Sequence, residues 1–430
     1  MMRKACLALA ALLFVNSIPA SAGNIKVGQL ALHPYYGLNL TYDDNIYKVH
    51  ANKAGYPVNA GNDGVIGSWI MANNLGVAFD LPLNEMHKVT ALYDFRADTY
   101  RAKSSANNAI SQAVNVGYEF KGSRTKANAY NNYVNTQDPA FNTNKSALTG
   151  ELTRRERRWN DTMGLAGEYF LGEKFFVGAD ISNTINKYLS RSLGAALNNS
   201  ELLFGVKGGY KVAPKTRVYT AIHRGITHYS AGRAANHKDW NLDFGVEGEM
   251  TAKLKGTVQT GLSHVRYDLD RGNPSFDPTA GNPGARQLST GQSVYNTWTT
   301  QVGLTYKATD RCRTTLLFNR GINDTSSNAS GGSNMVSTGA GLDMEHDFSK
   351  LTVGANTGVQ YDKYAETINL GGLTTTRRDD TYQAGLKADY KIQEWISTGL
   401  AYKHTRRFSR FSDQYSYKGS LTSWNLKVMF

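Results

Sequence analysis

Residues 414–430 read QYSYKGSLTSWNLKVMF, and their spacing decides how the rest of the chain is read. Phe430, Val428, Leu426 and Trp424 alternate with Met429, Lys427, Asn425 and Ser423. A period of two is a strand with one oily face and one wet face. One such strand fits a half-buried soluble sandwich as well as a sheet closed in lipid. The test is whether the pattern repeats.

It repeats along the chain. Residues 351–362 send Leu351, Val353, Ala355, Val359 and Tyr361 one way and Thr352, Gly354, Asn356, Gln360 and Asp362 the other. Residues 240–250 set Leu242, Phe244, Val246 and Met250 against Asn241, Asp243, Glu247 and Glu249. Hairpins are legible in order: 159–171 turns at Gly172-Glu173-Lys174 into 175–188, and 202–212 turns at Ala213-Pro214-Lys215 into 216–229. Likewise 335–348 turns at Ser349-Lys350 into 351–361. Continued over the chain, this gives about 18 strands.

The connections then sort by parity. One set is tight; the other is long and polar, at 43–64, 135–158, 190–200, 269–293, 323–334 and 362–380, with shorter members near Lys103, Ala231 and Ser409. Short turns on one rim and long loops on the other describe a transmembrane antiparallel up-and-down β-barrel, with the short turns periplasmic. Backbone in lipid must pair internally, so the apolar set faces lipid and the polar set a lumen. Tyr118, Tyr169, Tyr210, Tyr306, Phe348, Tyr390 and Trp395 near the short turns, and Trp69, Tyr188, Tyr267, Tyr361 and Tyr402 toward the long loops, predict two aromatic girdles.

The beginning of the chain is consistent with export. Arg3 and Lys4 precede the apolar run LALAALLFV, and Ala20-Ser21-Ala22 is a small-residue cleavage site, so residues 1–22 are read as a signal peptide and 23–430 as one barrel domain. Of 2 Cys, Cys6 leaves with the signal; Cys312 remains, excluding an intramolecular disulfide in the mature chain. No later apolar run approaches the ~20 residues of a helical span. The 42 Gly, 25 Tyr and only 9 Pro suit a single large all-β body. The formal charge of +13 does not imply a nucleic-acid partner, because the chain is exported and carries no recognition module.

Two motifs near the amino terminus carry a resemblance. Gly28-Gln29-Leu30-Ala31-Leu32-His33-Pro34 is followed by Tyr42-Asp43-Asp44-Asn45-Ile46-Tyr47. Together they resemble the outer-membrane β-barrel family found with exopolysaccharide biosynthesis clusters. The resemblance implies a pore for secreted polysaccharide, working with a periplasmic export protein. It brings no catalytic residue and no cofactor.

Candidate functional residues follow from the inward parity. Asp94, Arg96, Asp98, Lys207, Lys211, Asp243, Glu247, Glu249, Asp343, Glu345, Lys387 and Lys391 are expected to face the lumen. Their mixed signs point to structural pairing or a weakly selective wall rather than a charged filter. Arg154, Arg155, Arg157, Arg158, Arg377, Arg378, Arg406 and Arg407 gather in long loops. They predict either a positive vestibule for an acidic polymer or contact with lipopolysaccharide phosphates in the outer leaflet. His223, His228, His264, His346 and His404 sit near strand ends without a G-x-S-x-G or H-E-x-x-H motif, so no enzyme is expected. Asp268, Asp270 and Asp277 lack EF-hand spacing, and no metal is assigned. The sequence leaves three functions open: an exopolysaccharide export channel, a general small-solute porin, or a plugged structural barrel. Oligomeric state is open as well.

Overall fold

A computed structural model describes residues 25–48, 65–137, 157–190, 194, 198–230, 236–268, 294–324, 334–370, 373–410 and 415–430, with 366–370, 373 and 374 as backbone only. The expected signal peptide lies outside the described residues, as does most of 135–158 and 269–293.

The strands are β1 (Ile25–Val27), β2 (Leu30–Asp43), β3 (Ser68–Pro82), β4 (His87–Tyr100), β5 (Ala109–Lys121), β6 (Thr125–Thr136), β7 (Arg158–Leu171), β8 (Phe175–Tyr188) and β9 (Asn199–Ala213). They continue as β10 (Thr216–Tyr229), β11 (His237–Glu249), β12 (Leu254–Tyr267), β13 (Val294–Lys307), β14 (Cys312–Asp324), β15 (Asn334–Phe348), β16 (Leu351–Leu370), β17 (Leu373–Gln393), β18 (Ile396–Ser409) and β19 (Tyr417–Met429). Each of β2–β19 pairs antiparallel with its neighbours in sequence, and β19 closes on β2 with Trp424 opposite Leu40 and Leu426 opposite Leu38. The result is a closed barrel of 18 strands. Closure pairs strand backbone on both sides through the wall, as hydrocarbon demands, except where β13 and β14 separate above Thr300 and Arg320.

The terminal strand closes the barrel as its alternation predicts. Its last ladder contact is the Phe430 amide donating to the Pro34 carbonyl at 2.9 Å. Below that point β19 has ended, and β1 takes the vacant edge of β2, turning through Gly28 at a positive φ of 62°. Sequence reasoning did not anticipate β1. It also read 362–380 as a loop; instead β16 and β17 run up to Leu370 and down from Leu373, pairing to their tip. Thr374, Thr375 and Thr376 suit a pleated surface as well as a coil, and loop polarity hid the strand.

Register fixes the faces. Leu262, Leu386 and Leu400 are 64%, 62% and 60% exposed, on the same outer surface as Leu165, Val206 and Phe244. In water such a surface would be untenable; in a bilayer it is the required exterior. Trp69 beside Tyr42 and Trp159 beside Tyr133 mark its upper margin, and Phe175 against Tyr210 its lower one. The barrel therefore sits in the outer membrane.

The inner face is shaped by three cross-strand pairs. Tyr35, Tyr130 and Tyr219 lie across Gly76, Gly164 and Gly245, their partners on the next strand. A Cβ on those glycines would come within 2.2, 2.5 and 2.2 Å of ring atoms. The ring occupies the space a side chain would take, which holds each tyrosine flat against the wall.

Candidate functional site

The lumen wall below the mouth carries the twelve lumen-facing residues expected from parity, all on the inner face. Most are paired. The Tyr35 hydroxyl donates to Asp94, and Arg96 Nε to Asp98 at 2.8 Å. Lys207 pairs with Glu168, and Arg217 forks onto Glu168 at 2.8 and 3.2 Å while also reaching Glu247. Glu345 takes both Arg313 and Lys387. Asp243 lies 3.4 Å from His223 Nδ1, whose other ring nitrogen is 3.8 Å from Asp180. Lys211 rests 4.3 Å over the Phe170 ring, and Glu249 meets Lys215 at 2.7 Å near the periplasmic turn. Asp343 and Lys391 share the inner face with these groups.

Around Glu168 and Glu345 the pairs cross strands in networks of four and three charges. A buried carboxylate held by two cations satisfies several of its lone pairs at once, which offsets desolvation better than a single contact. Glu168 and Arg217, the centre of the lower network, were not singled out from the sequence. Their inward parity was readable; their mutual approach depends on β7–β11 register.

The expected arginine vestibule is not built as the loop reading implied. Arg377 and Arg378 are neighbours on a strand, so they face opposite ways. Arg377 is 1% exposed, bonded to Asp379 at 2.6 Å and clamped between Tyr364 and Tyr415 at 4.4 and 3.4 Å. Arg378 points outward, paired with Asp380 at 3.1 Å. Each arginine thus meets the aspartate two residues on, on its own face. Arg407 is inward, 4.0 Å from Asp379, while Arg406 is outward, 4.3 Å over Phe408. Arg158 opens β7 on the inner face, Arg157 precedes it, and Arg154 and Arg155 lie outside the described residues.

The mouth holds a feature that sequence reasoning missed. Pairing between β13 and β14 stops at Thr300 opposite Arg320, yet β14 and β15 stay paired up to Asp324 opposite Asn334. Above Arg320 this hairpin leaves the wall. Asp324 then receives the hydroxyls of Tyr229 at 3.1 Å and Tyr267 at 2.9 Å and lies 3.6 Å from His237, all on the inner wall of β10–β12. Ile322 packs with Val265 and Tyr267. Lower on β14, residues of the same parity face lipid. The upper ends of β14 and β15 turn inward, so the face of β14 that carries Ile322 and Asp324 lies on the lumen wall. Beneath it is a cavity of about 590 Å³, lined among others by Asp180, Asp239, Asp243, His223, Gln259 and Gln301. Among the described residues no cluster of His, Cys, Asp and Glu is arranged to hold a metal.

No protein-family model and no curated protein matches the chain. Solved structures resemble it at low identity. The ferric-catecholate import receptor Fiu from E. coli K12 is 10% identical, with 96% of this chain and 82% of that one covered at a TM-score of 0.46. The outer membrane protein opdK from Pseudomonas aeruginosa is 11% identical, covering 93% and 99% at 0.44. A bacterial polysaccharide outer membrane secretin is 11% identical, covering 94% and 100% at 0.35. What this chain carries is read from its own lumen.

Proposed function

We propose that the barrel conducts a hydrated polysaccharide chain from periplasm to cell surface. One observation carries the reading: many of the lumen's charges are tied to one another, around Glu168 and Glu345 above all, so a passing chain meets a wall rich in amides and hydroxyls. Asn39, Asn74, Asn115, Gln301, Gln383 and Asn425 belong to this wall. Such groups exchange hydrogen bonds with a polyol at little net free energy, because water is replaced by equivalents. A polymer can then slide without a deep binding minimum; an unpaired charge ring would instead sort ions. Movement is passive, its direction imposed by polymer synthesis and a periplasmic export protein. No bond is made or broken by the chain.

The inward upper ends of β14 and β15 set the condition for passage, since a glycan must displace them or pass beside them. Two measurements on a deletion strain test the reading: surface polysaccharide and small-solute uptake. Loss of surface polysaccharide, restored by the wild-type gene, is the expected result. Normal polysaccharide with impaired uptake of small solutes would make the protein a porin.

A further inference from the structure

On the outer face of β10–β12, three cations stand together above the oily band. Lys238 is directly opposite Arg266, and the adjacent row places Arg224 opposite Trp240 and Trp240 opposite His264. Like charges directly opposed in an antiparallel pair repel. Outward Arg378 finds Asp380, while outward Arg406 and Lys187 rest over Phe408 and Trp159. Among the described residues, no outward position on β9–β13 is an Asp or Glu, and Asp268 lies just past the end of β12. Arg224 is stacked 4.4 Å over the Trp240 ring, which fixes its guanidinium at the girdle.

Immediately below, the same face carries Ile222, Leu242, Phe244 and Leu262, all strongly exposed. The patch is therefore cationic at headgroup height and apolar at acyl-chain height. We infer that Arg224, Lys238 and Arg266 form a site for a phosphorylated glycolipid of the outer leaflet, with its phosphates on the cations and its acyl chains along Leu242 and Leu262. Charge complementarity selects a multiply phosphorylated headgroup. A single phosphate cannot balance three cations, whereas two phosphates on one glucosamine backbone bring several acceptor oxygens to one place. This site is on the opposite wall surface from the lumen and independent of what passes through it.

The test is titration of the purified, folded barrel in detergent with diphosphoryl lipid A, bound lipid being read by native mass spectrometry. Monophosphoryl lipid A and phosphatidylglycerol serve as competitors. Wild type is expected to hold diphosphoryl lipid A at least about tenfold more tightly than either competitor, and the Arg224→Gln/Lys238→Gln/Arg266→Gln variant to lose about tenfold, the scale of one charge-assisted contact. Lys187→Gln, an outward cation isolated over Trp159, should bind as wild type does. Folding is checked by heat-modifiable mobility; if the triple variant does not fold, Arg266→Gln alone is read in the same way. Unchanged lipid A affinity in the folded variant overturns the site, and so does equal competition by phosphatidylglycerol. Polysaccharide export is not part of this readout, so its failure would leave the lumen reading intact.

Discussion

Replacing Asp324 by alanine should release the hairpin that narrows the mouth. In the folded barrel the carboxylate accepts two phenol hydroxyls, at 2.9 and 3.1 Å. Hydrogen bonds to a charged group contribute about 1.5–3 kcal/mol each. Asp324 is 31% exposed, so the low end applies, about 3 kcal/mol for the pair. At roughly 1.4 kcal/mol per factor of ten, the ratio of docked to released strand end at Asp324 falls by about a hundredfold. The packing of Ile322 on Val265 and Tyr267 survives the substitution, so release is partial rather than complete. Single-channel recording in planar bilayers should show a small dominant conductance for wild type and long-lived larger steps for Asp324→Ala. Asp324→Asn, which keeps an acceptor without its charge, should fall between them. A disulfide between Ile322→Cys and Val265→Cys, in a Cys312→Ser background, should hold the small conductance even when Asp324 is gone. The same conductance and dwell times in wild type and Asp324→Ala, with Tyr267→Phe equally silent, would refute the claim that this contact restricts the bore.

Four other substitutions probe the wall. Glu345→Gln leaves Arg313 and Lys387 without their shared carboxylate, so the reversal potential in a KCl gradient should move toward anion preference. Gly245→Ala forces its Cβ to within 2.2 Å of the Tyr219 ring and should cost about 1–3 kcal/mol, read as a lower temperature for loss of heat-modifiable mobility. Gly37→Ala, whose Cβ meets Asn74 at an ordinary 3.6 Å, should leave that temperature nearly unchanged. Arg377→Met leaves Asp379, which is 0% exposed, with only the distant Arg407 at 4.0 Å as a cation, and should destabilise the barrel by about 3 kcal/mol in chemical denaturation.

Much of this architecture is legible in the chain because lipid enforces a period of two with few exceptions. Alternation bounds residues 175–188 as β8 is found, since parity alone assigns a face. Parity cannot say which strands approach one another across the bore. Glu168 and Lys207 are two strands apart, and only the stagger of β7, β8 and β9 makes them partners. Loop polarity misled at 362–380, where Arg377 and Arg378 read as one basic cluster. A strand divides such a pair between two environments, and each aspartate two positions on then pairs with the arginine on its own side.

The inward turn of β14 and β15 above Arg320 is invisible to periodicity. Ile322 and Asp324 continue the outward parity of Leu316 and Phe318 without interruption, so no periodicity argument could move them into the lumen. What reverses their environment is the loss of one ladder above Arg320. Once β13 no longer holds β14, the same face that meets lipid below meets Tyr229, Tyr267 and Val265 above. An aspartate on that parity would be costly against hydrocarbon; against two phenol donors it is satisfied. Asp324 is thus the one carboxylate on β14's outward parity, where Arg320 can rest over Trp298 at the girdle, and that carboxylate is the available signal. A carboxylate with lipid-facing parity at the top of a strand asks what has turned to meet it, and here the answer is the wall of the pore itself.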